Sequence, residues 1–204
     1  MRDIASWALN IAAQRGTSYA DARIADDRSR MLSTKNGKVG GASDSESFGI
    51  GIRVIADGAW GFAASDDLSR TAVEATAARA VDIAKASSRV KQRDVQLAPE
   101  KPVSAEWTTP FQIDPFTTSV EQNIELLLKI DAELRSVAGV TLAETNMNFR
   151  REEQWFVSSE GANIHQTKFT TGVGYAAYAF AESEIQNAPI RIPTADSGRI
   201  KDTN

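Results

Sequence analysis

The clearest pattern along the chain is an alternation of apolar residues with small or charged ones between residues 48 and 56. Apolar side chains at every second position predict a strand with one buried face; they are Phe48, Ile50, Ile52 and Val54. Asp57-Gly58 favours a tight turn, and residues 59–64 then predict the returning strand of a hairpin. Glycine inside a strand marks a bulge or a close approach by another backbone. We expect one or the other at Gly49, Gly51 and Gly61.

Apolar residues at helical spacing predict three helices. The first covers residues 2–15, and Gly16 stands just past its end. The second begins after the Ser and Asp cluster at 65–69 and carries a narrow stripe of alanine and valine. Thr118 and Glu121 match a capping box, which predicts the start of a third helix over residues 119–138.

Several further strands are predicted outside the central hairpin. They cover residues 19–24, 30–34, 140–149, 154–158 and 163–180. Asn36-Gly37 favours a two-residue hairpin turn after the second of these, and residues 39–47 are interpreted as an exposed strand or a mobile connection. Residues 88–117 contain four prolines and predict a long surface connection. The fold class is therefore predicted as α+β, with antiparallel sheets and helices packed on one face.

The predicted elements occur in the same order twice. Gly37 and Gly161 occupy equivalent turns at an offset of 124 residues. One interpretation is an internal duplication, with repeats over 1–90 and 116–184 inside a single domain over 1–186. The alternative is chance similarity, because helix-plus-meander units recur in many folds. Residues 187–204 have weak periodicity and predict an irregular, poorly packed tail.

Composition narrows the functional classes. The 204 residues carry a formal net charge of −4, which argues against a nucleic-acid-binding protein because phosphate binding needs a basic surface. No run approaches the roughly 18 apolar residues of a membrane span, and the N-terminal stretch lacks the apolar core of a secretory signal. There is no cysteine, hence no disulfide or thiolate ligand. A cytoplasmic location is expected.

The residues that could carry chemistry do not form a complete site. His165 is the only histidine, and the sequence has neither a His-Glu-x-x-His helix nor a Gly-x-Ser-x-Gly elbow. The pairs Asp26-Asp27, Asp66-Asp67 and Glu152-Glu153 lie beside arginines or at a helix start, where capping and surface charge explain them. The sequence therefore predicts no catalytic, cofactor-binding or metal-binding residue.

A series of phrases nevertheless resembles the N-terminal region of the TldD/PmbA family, once called modulators of DNA gyrase. The phrases are YADARI (19–24), LSTKNGKV (32–39), ESFGIGIRVIADGAWGFAASDDLS (46–69), AARAVDIAKAS (77–87) and SSEGANIHQ (158–166). The central phrase is more similar to the TldD branch than to the PmbA (TldE) branch. The resemblance runs from about residue 1 to Glu184, and residues 187–204 depart from the family, so we expect either a truncated chain or a tail from altered coding sequence.

The resemblance implies a zinc-dependent peptidase that acts on unfolded or leader peptides. It also implies a dimer, either a homodimer or a heterodimer of TldD-type and TldE-type subunits. The family's zinc site is a His-Glu-x-x-x-His helix completed by a later cysteine, and neither is present in this sequence. The resemblance thus implies a non-catalytic part that contributes to the substrate channel and to dimerisation. Zinc is expected in the full-length family and not in this chain, which is predicted to be inactive alone.

One stretch is a candidate for binding an extended peptide through main-chain hydrogen bonds. The stretch is rich in small and polar residues, which would let another backbone approach. The candidate residues are Val39, Gly40, Gly41, Ala42, Ser43 and Ser45. The alternative is a solvated edge protected by Asp44 and Glu46. A second functional hypothesis is a stand-alone interaction or dimerisation module without enzymatic activity.

Overall fold

The computed structural model describes residues 1–181 and 184–191, in which three helices and seven strands are present. In chain order they are α1 (Arg2–Gln14), β1 (Tyr19–Lys35), β2 (Lys38–Ala56), β3 (Ala59–Ser65), α2 (Arg70–Ser88), β4 (Ser104–Thr108), α3 (Val120–Ser136), β5 (Val140–Ser158), β6 (Asn163–Ala181) and β7 (Glu184–Arg191). The strands form one sheet in the order β3-β2-β1-β5-β6-β4, and β7 also pairs with β6. The predicted α+β class is confirmed.

The two hairpin turns form as their sequences predict. Asn36 and Gly37 have φ of 48° and 75°, and Asp57 and Gly58 have φ of 50° and 72°. Positive φ at both central residues defines the tight turn that suits the twist of paired strands. The same helix-strand-strand-strand order then occurs twice, in α1 to β3 and in α3 to β7. A common origin of the two halves stays a prediction.

Several predicted boundaries are wrong because long strands run through polar segments. β1 and β5 are each continuous where two strands were predicted. Residues 39–47 belong to β2, so the exposed strand, one of the two alternatives for them, is the one that forms. The connection predicted over 88–117 contains β4, which pairs with β6 in parallel, so the sheet is not purely antiparallel. β7 extends to Arg191, into the tail predicted to be irregular. The remainder of that tail, residues 192–204, lies outside the described residues.

Two compact units can be distinguished, each assembled from separate segments. Unit 1 comprises Met1–Asp27, Ser47–Thr108 and Glu152–Thr167; unit 2 comprises Arg28–Glu46, Thr109–Arg151 and Lys168–Asn204. Their segments do not follow the predicted repeats, because β1, β2, β5 and β6 each contribute residues to both units.

The core of unit 1 lies between the sheet and helices α1 and α2. Ile50, Ile52 and Val54 are buried on this side of β2, as their alternation predicts. α2 contributes a stripe of valine and alanine, which allows the helix to pack closely on β3. A Cβ at Gly61 would lie 2.0 Å from the Ala80 carbonyl oxygen, so glycine is required here by the approach of the α2 backbone.

The other two strand glycines have different neighbours. A Cβ at Gly49 would lie 2.9 Å from the Ser65 carbonyl oxygen, which is again a close backbone approach. At Gly51 the nearest atoms belong to the Phe62 ring, at 3.1 and 3.3 Å. The expectation of a bulge or a backbone approach is therefore wrong for Gly51, where an aromatic ring covers the glycine.

The core of unit 2 combines a small apolar cluster with a buried polar one. Leu32, Leu127, Met147 and Phe149 form the apolar cluster. Beside it, the fully buried carboxylate of Asp131 accepts from Arg135 Nε at 2.6 Å and from Thr34 Oγ1 at 3.4 Å. These partners offset the cost of burying a charge, and they link α3 to β1.

Helix α3 begins with a capping box, one residue later than predicted. Ser119 Oγ accepts from the Gln122 backbone N–H at 3.1 Å, and the Gln122 side chain accepts from the Ser119 N–H at 3.3 Å. The predicted pair, Thr118 and Glu121, fits the same spacing rule. The carbonyl of Thr118 instead accepts a hydrogen bond from Arg30.

Candidate functional site

The predicted peptide-pairing segment lies on an exposed part of β2. Residues 38–48 are all exposed, and they include the six candidates Val39, Gly40, Gly41, Ala42, Ser43 and Ser45. β3 pairs with β2 only from Ile50 to Ala56. The part of β2 before Ile50 therefore extends beyond the end of β3, and we call residues 39–46, which belong to unit 2, the β2 edge.

Contacts with β1 hold the β2 edge on one side. Ser45 Oγ lies 2.8 Å from Ser29 Oγ. A Cβ at Gly40 would lie 3.1 Å from Ser33 Oγ, and one at Gly41 would lie 3.5 Å from the same atom.

The acidic residues of the β2 edge are paired with arginines of β1. Asp44 Oδ2 accepts from Arg30 Nη2 at 2.7 Å and from Arg28 Nη2 at 3.4 Å, and Glu46 Oε1 lies 3.3 Å from Arg28 Nε. The hydrogen bond from Arg30 is the largest cause that lowers the pKa of Asp44. Because these carboxylates are partly neutralised, they repel an approaching chain less than isolated acidic residues would.

A second candidate surface is a groove in unit 1, on the sheet face opposite its helices. Its volume is about 710 Å³, within the range of about 300–1,000 Å³ that ligand sites occupy. The lining includes β1, β2 and β3 residues: Asp21, Arg23, Ala25, Ser47, Phe48, Gly49, Ile50, Gly51, Arg53, Phe62, Ala64, Ser65 and Asp66. We call this surface the glycine groove, after Gly49 and Gly51 of β2, which line it.

Asp21 and Arg53 form a paired charge in the glycine groove. Both Nε and Nη2 of Arg53 approach Asp21 Oδ2, at 2.8 and 2.7 Å, and the Asp21 side chain is buried. The guanidinium lies over the Trp60 ring, 4.8 Å from its centroid. Burial raises the pKa of the neighbouring Tyr19 to about 12, and the negative charge of Asp21 adds to this effect. These contacts fix the orientation of both charged groups.

A different arginine presents its charge to the solvent. Arg23 is exposed, and its guanidinium lies over the Phe156 ring at 5.4 Å from the centroid. A guanidinium that stacks on a ring keeps its N–H donors in the plane of the group, where they can bind a carboxylate.

The sequence interpretation missed this network. Tyr19, Asp21 and Arg23 alternate along β1, and this period-2 pattern was a usable signal that they share one face. Their position opposite Arg53 depends on β1 and β2 continuing far beyond the Asn36-Gly37 turn, whereas the sequence predicted a break in β1.

The described residues do not fit a zinc site. Among residues 1–181 and 184–191, no group of three or more His, Cys, Asp and Glu side chains could hold a metal ion. His165 Nε2 lies 2.9 Å from Glu153 Oε1, and the ring stacks on Trp155 at a centroid distance of 4.9 Å. A zinc site in a protein uses at least three side-chain ligands, so this pair alone is insufficient.

Members of the acidic pairs Asp66-Asp67 and Glu152-Glu153 have structural roles or neighbours of their own. Asp67 Oδ1 accepts from the Ser69 N–H at 2.7 Å, where α2 begins. Asp66 lines the glycine groove, and Glu153 is the partner of His165. Asp67 therefore helps to begin a helix, whereas Asp66 and Glu153 have different surroundings.

Fold and site together define the class: an α+β protein with two exposed candidate surfaces. Family models place it more narrowly. The model of PmbA/TldA metallopeptidase domain 1 matches residues 20–84, and the model of the PmbA/TldA metallopeptidase central domain matches residues 113–198. The chain belongs to the PmbA/TldD metallopeptidase family. The resemblance found in the sequence is confirmed, and the central domain is represented as well as the first.

Individual relatives agree with this assignment. A metalloprotease of Methanocaldococcus jannaschii is 24% identical over 148 residues, which cover 72% of this chain and 32% of that protein. A modulator of DNA gyrase from Bacteroides thetaiotaomicron has the same fold, with a TM-score of 0.73 and 14% identity over 92% of this chain and 43% of that one. TldE from Thermococcus kodakarensis gives a TM-score of 0.66 and 15% identity over 90% of this chain and 42% of that one.

The chain spans about a third of the length of the metalloprotease and about two fifths of the two solved structures. The structural matches, at this identity, show the fold alone. Within the described part of the chain, the helices are too short or too polar to span a bilayer.

Proposed function

We propose that this chain is a non-catalytic, peptide-binding part of a PmbA/TldD metallopeptidase. Its substrates would be unfolded or leader peptides, and its role would be to help form the substrate channel. Family membership supports the general class, and the resemblance to the TldD branch suggests the substrates. The zinc chemistry would depend on residues outside this sequence, which lacks the His-Glu-x-x-x-His helix.

The observation that carries the proposal is the β2 edge. Its side chains are exposed, it extends beyond the end of β3, and glycine, alanine and serine leave its main chain accessible. An extended peptide adds to such an edge through main-chain hydrogen bonds, which accept many sequences. Binding of this kind suits an unfolded substrate, because it requires an extended backbone and no particular side chain.

The same edge favours a second candidate function, in which the partner is a folded chain. An accessible strand edge can pair with the edge of another subunit. The chain would then be a dimerisation module, forming a homodimer or a heterodimer of the TldD/TldE type. Analytical ultracentrifugation of residues 1–204 with and without an unstructured peptide distinguishes the two functions, since only the second predicts a dimer that the peptide dissociates.

The peptide proposal is tested with a fluorescent, unstructured decapeptide and a copy that is N-methylated at alternate residues. N-methylation removes main-chain donors and leaves the side chains unchanged, so we expect at least a tenfold loss of affinity. Hydrogen exchange should show slower exchange at residues 39–46 when the unmodified peptide is bound. Equal binding of both peptides would contradict the proposal.

A variant provides an independent test. Gly41→Lys places a long charged side chain on the β2 edge, where lysine discourages pairing. Leu126→Lys adds the same charge at an exposed position of α3 in the same unit and serves as the matched control. We expect weaker peptide binding only for Gly41→Lys; the same loss in both variants would show that charge alone is responsible.

A further inference from the structure

We propose that the glycine groove of unit 1 recognises an extended peptide that presents an apolar side chain and an acidic side chain on the same face of its backbone. This proposal rests on the proposed function, because it takes the ligand to be a peptide. The β2 edge would bind only the main chain of a peptide and would accept many sequences. The groove would add a preference for particular side chains of the peptide. Three features of the groove support it: the exposed ring of Phe62, an arrangement of charges in which one arginine faces the solvent, and the position of Asp66.

The first feature is the Phe62 ring. It packs against the backbone of β2, since a Cβ at Gly51 would lie only 3.1 Å from the ring. The residue is nevertheless 57% exposed. One side of the ring is therefore supported by the protein while much of its surface remains in contact with water. An apolar side chain placed on this surface would remove it from water without any rearrangement of the groove.

The second feature is the arrangement of charges. Asp21 and Arg53 neutralise each other through two contacts of 2.7 and 2.8 Å to one carboxylate oxygen. Arg23 is two residues further along β1, is exposed, and is oriented by the Phe156 ring. Its guanidinium can form charge-assisted hydrogen bonds with a carboxylate of the ligand. The acidic side chain is therefore assigned to the β1 side of the groove.

The third feature fixes the direction of the ligand. Asp66 lines the groove next to Gly49, where a Cβ would lie 3.6 Å from the Asp66 Cα. A second carboxylate would be repelled at this end. The preferred ligand therefore has its apolar group over Phe62 and its acidic group at Arg23, with no acidic residue near Asp66.

The affinities of three acetylated, amidated hexapeptides for the full chain test this inference. The first is Ala-Phe-Ala-Asp-Ala-Ala, in which the phenylalanine and the aspartate share one face of the extended chain; the second has alanine in place of phenylalanine, and the third has lysine in place of aspartate. We expect the first to bind about tenfold more tightly than either of the others, as one aromatic contact and one charge-assisted pair allow.

Variants assign each preference to one residue. Phe62→Ala should abolish the preference for phenylalanine and keep the preference for aspartate, whereas Arg23→Gln should do the opposite. Both residues are exposed, so the fold should persist, and Phe62→Leu should retain part of the preference. Ile113→Ala and Arg93→Gln are controls, since they remove an exposed apolar and an exposed basic side chain outside the groove.

The outcomes separate the groove from the β2 edge. Equal affinity for the three peptides, or preferences unchanged in Phe62→Ala and Arg23→Gln, would overturn the groove proposal. If main-chain N-methylation still reduced binding in that case, the β2 edge would stand without it. Sequence preference that survives N-methylation would support the groove and contradict the edge.

Discussion

Single glycines decide how closely the helices and the sheet of unit 1 can approach. Gly61 is the clearest case, because the Ala80 carbonyl oxygen and the Ala84 amide nitrogen would lie 2.0 and 2.5 Å from an added Cβ. Both are main-chain atoms of α2, and neither can rotate away as a side chain would. The whole helix would have to move to accept even one methyl group.

We therefore expect Gly61→Ala to lower the free energy of unfolding by about 3 kcal/mol or more, through overpacking. Urea denaturation measures this change. Gly41→Ala is the matched control, because its Cβ would meet Ser33 Oγ at an ordinary distance of 3.5 Å; a change of about 0.5 kcal/mol or less is expected there. Similar losses in both variants would show that the close packing at Gly61 is not the cause.

The raised pKa of Tyr19 makes the free energy of unfolding depend on pH. Its pKa is raised from 10.0 to about 12, first by burial and then by the charge of Asp21. Between these values the folded chain keeps the phenol proton and the unfolded chain loses it. The contribution of Tyr19 to stability is thus complete below about pH 10 and is lost as the pH rises toward 12.

The free energy of unfolding should fall more steeply between pH 10 and 12 in the wild type than in Tyr19→Phe. The comparison removes the effect of other groups that titrate in the same range. The difference between the phenolate absorbance titrations of the two proteins should have its midpoint near pH 12. A midpoint near 10 would mean that Tyr19 is not held in the environment formed with Asp21.

At the scale of elements, helix α3 depends on a local start signal and on tertiary contacts. The capping box of Ser119 and Gln122 satisfies main-chain donors of the first turn. The sequence predicted this helix to within two residues at each end, because capping and periodicity are local. It selected Thr118 as the cap, since two adjacent hydroxyl residues each have a partner three positions later. Tertiary structure favours Ser119, and Arg30 binds the Thr118 carbonyl.

Removal of this cap should destabilise the protein measurably. Ser119→Ala is expected to lower the free energy of unfolding by about 1 kcal/mol, in line with other N-cap substitutions. Ser136→Ala, near the other end of α3, is the control; it removes only a hydroxyl that donates to the Glu133 carbonyl. Thermal and urea unfolding of both variants provide the measurement. An equal loss at both positions would argue against a specific role for the cap.

The extent of β1 and the existence of β4 could not be predicted from local sequence patterns. Residues 25–29 of β1 include Asp26, Asp27 and Arg28, a polar run that interrupts the alternation and suggests a break. The strand continues because β2 and β5 flank it in the sheet and can satisfy its main chain whatever its side chains are. β4 was missed for a related reason: all five of its residues are exposed, so it carries no hydrophobic pattern.

At the scale of the whole molecule, the main expectation concerns catalysis. Purified residues 1–204 should contain far less than one zinc per chain and should not cleave an unstructured peptide, with or without added zinc. The physical reason is that His165 contacts Glu153 and stacks on Trp155. Among residues 1–181 and 184–191, no further His, Cys, Asp or Glu completes a metal site with this pair. Elemental analysis and a cleavage assay with and without a chelator provide the measurement.

His165→Gln is the informative variant for this expectation. If the expectation is right, it changes neither the metal content nor the absence of cleavage. Stoichiometric zinc and chelator-sensitive cleavage, both lost in His165→Gln, would show that the histidine belongs to a metal site after all.

The sequence by itself determined the features that depend on a few neighbouring residues, and it determined the family, which depends on phrases in a fixed order along the chain. The Asn-Gly and Asp-Gly turns followed from main-chain preferences of two residues, the helices from periodicity and capping, and the family from an ordered series of phrases. The exposed candidates at 39–45 also followed from the chain, because small polar residues in succession rarely form a core.

Tertiary structure alone decided the rest. The extent of β1 and β5, the parallel pairing of β4, the assembly of each unit from separate segments and the glycine groove all depend on which strands become neighbours. Asp21 and Arg53 are 32 residues apart and pair only because β1 and β2 are adjacent. Strand pairing joins residues distant in sequence through main-chain hydrogen bonds, and these carry little information about the side chains that they bring together.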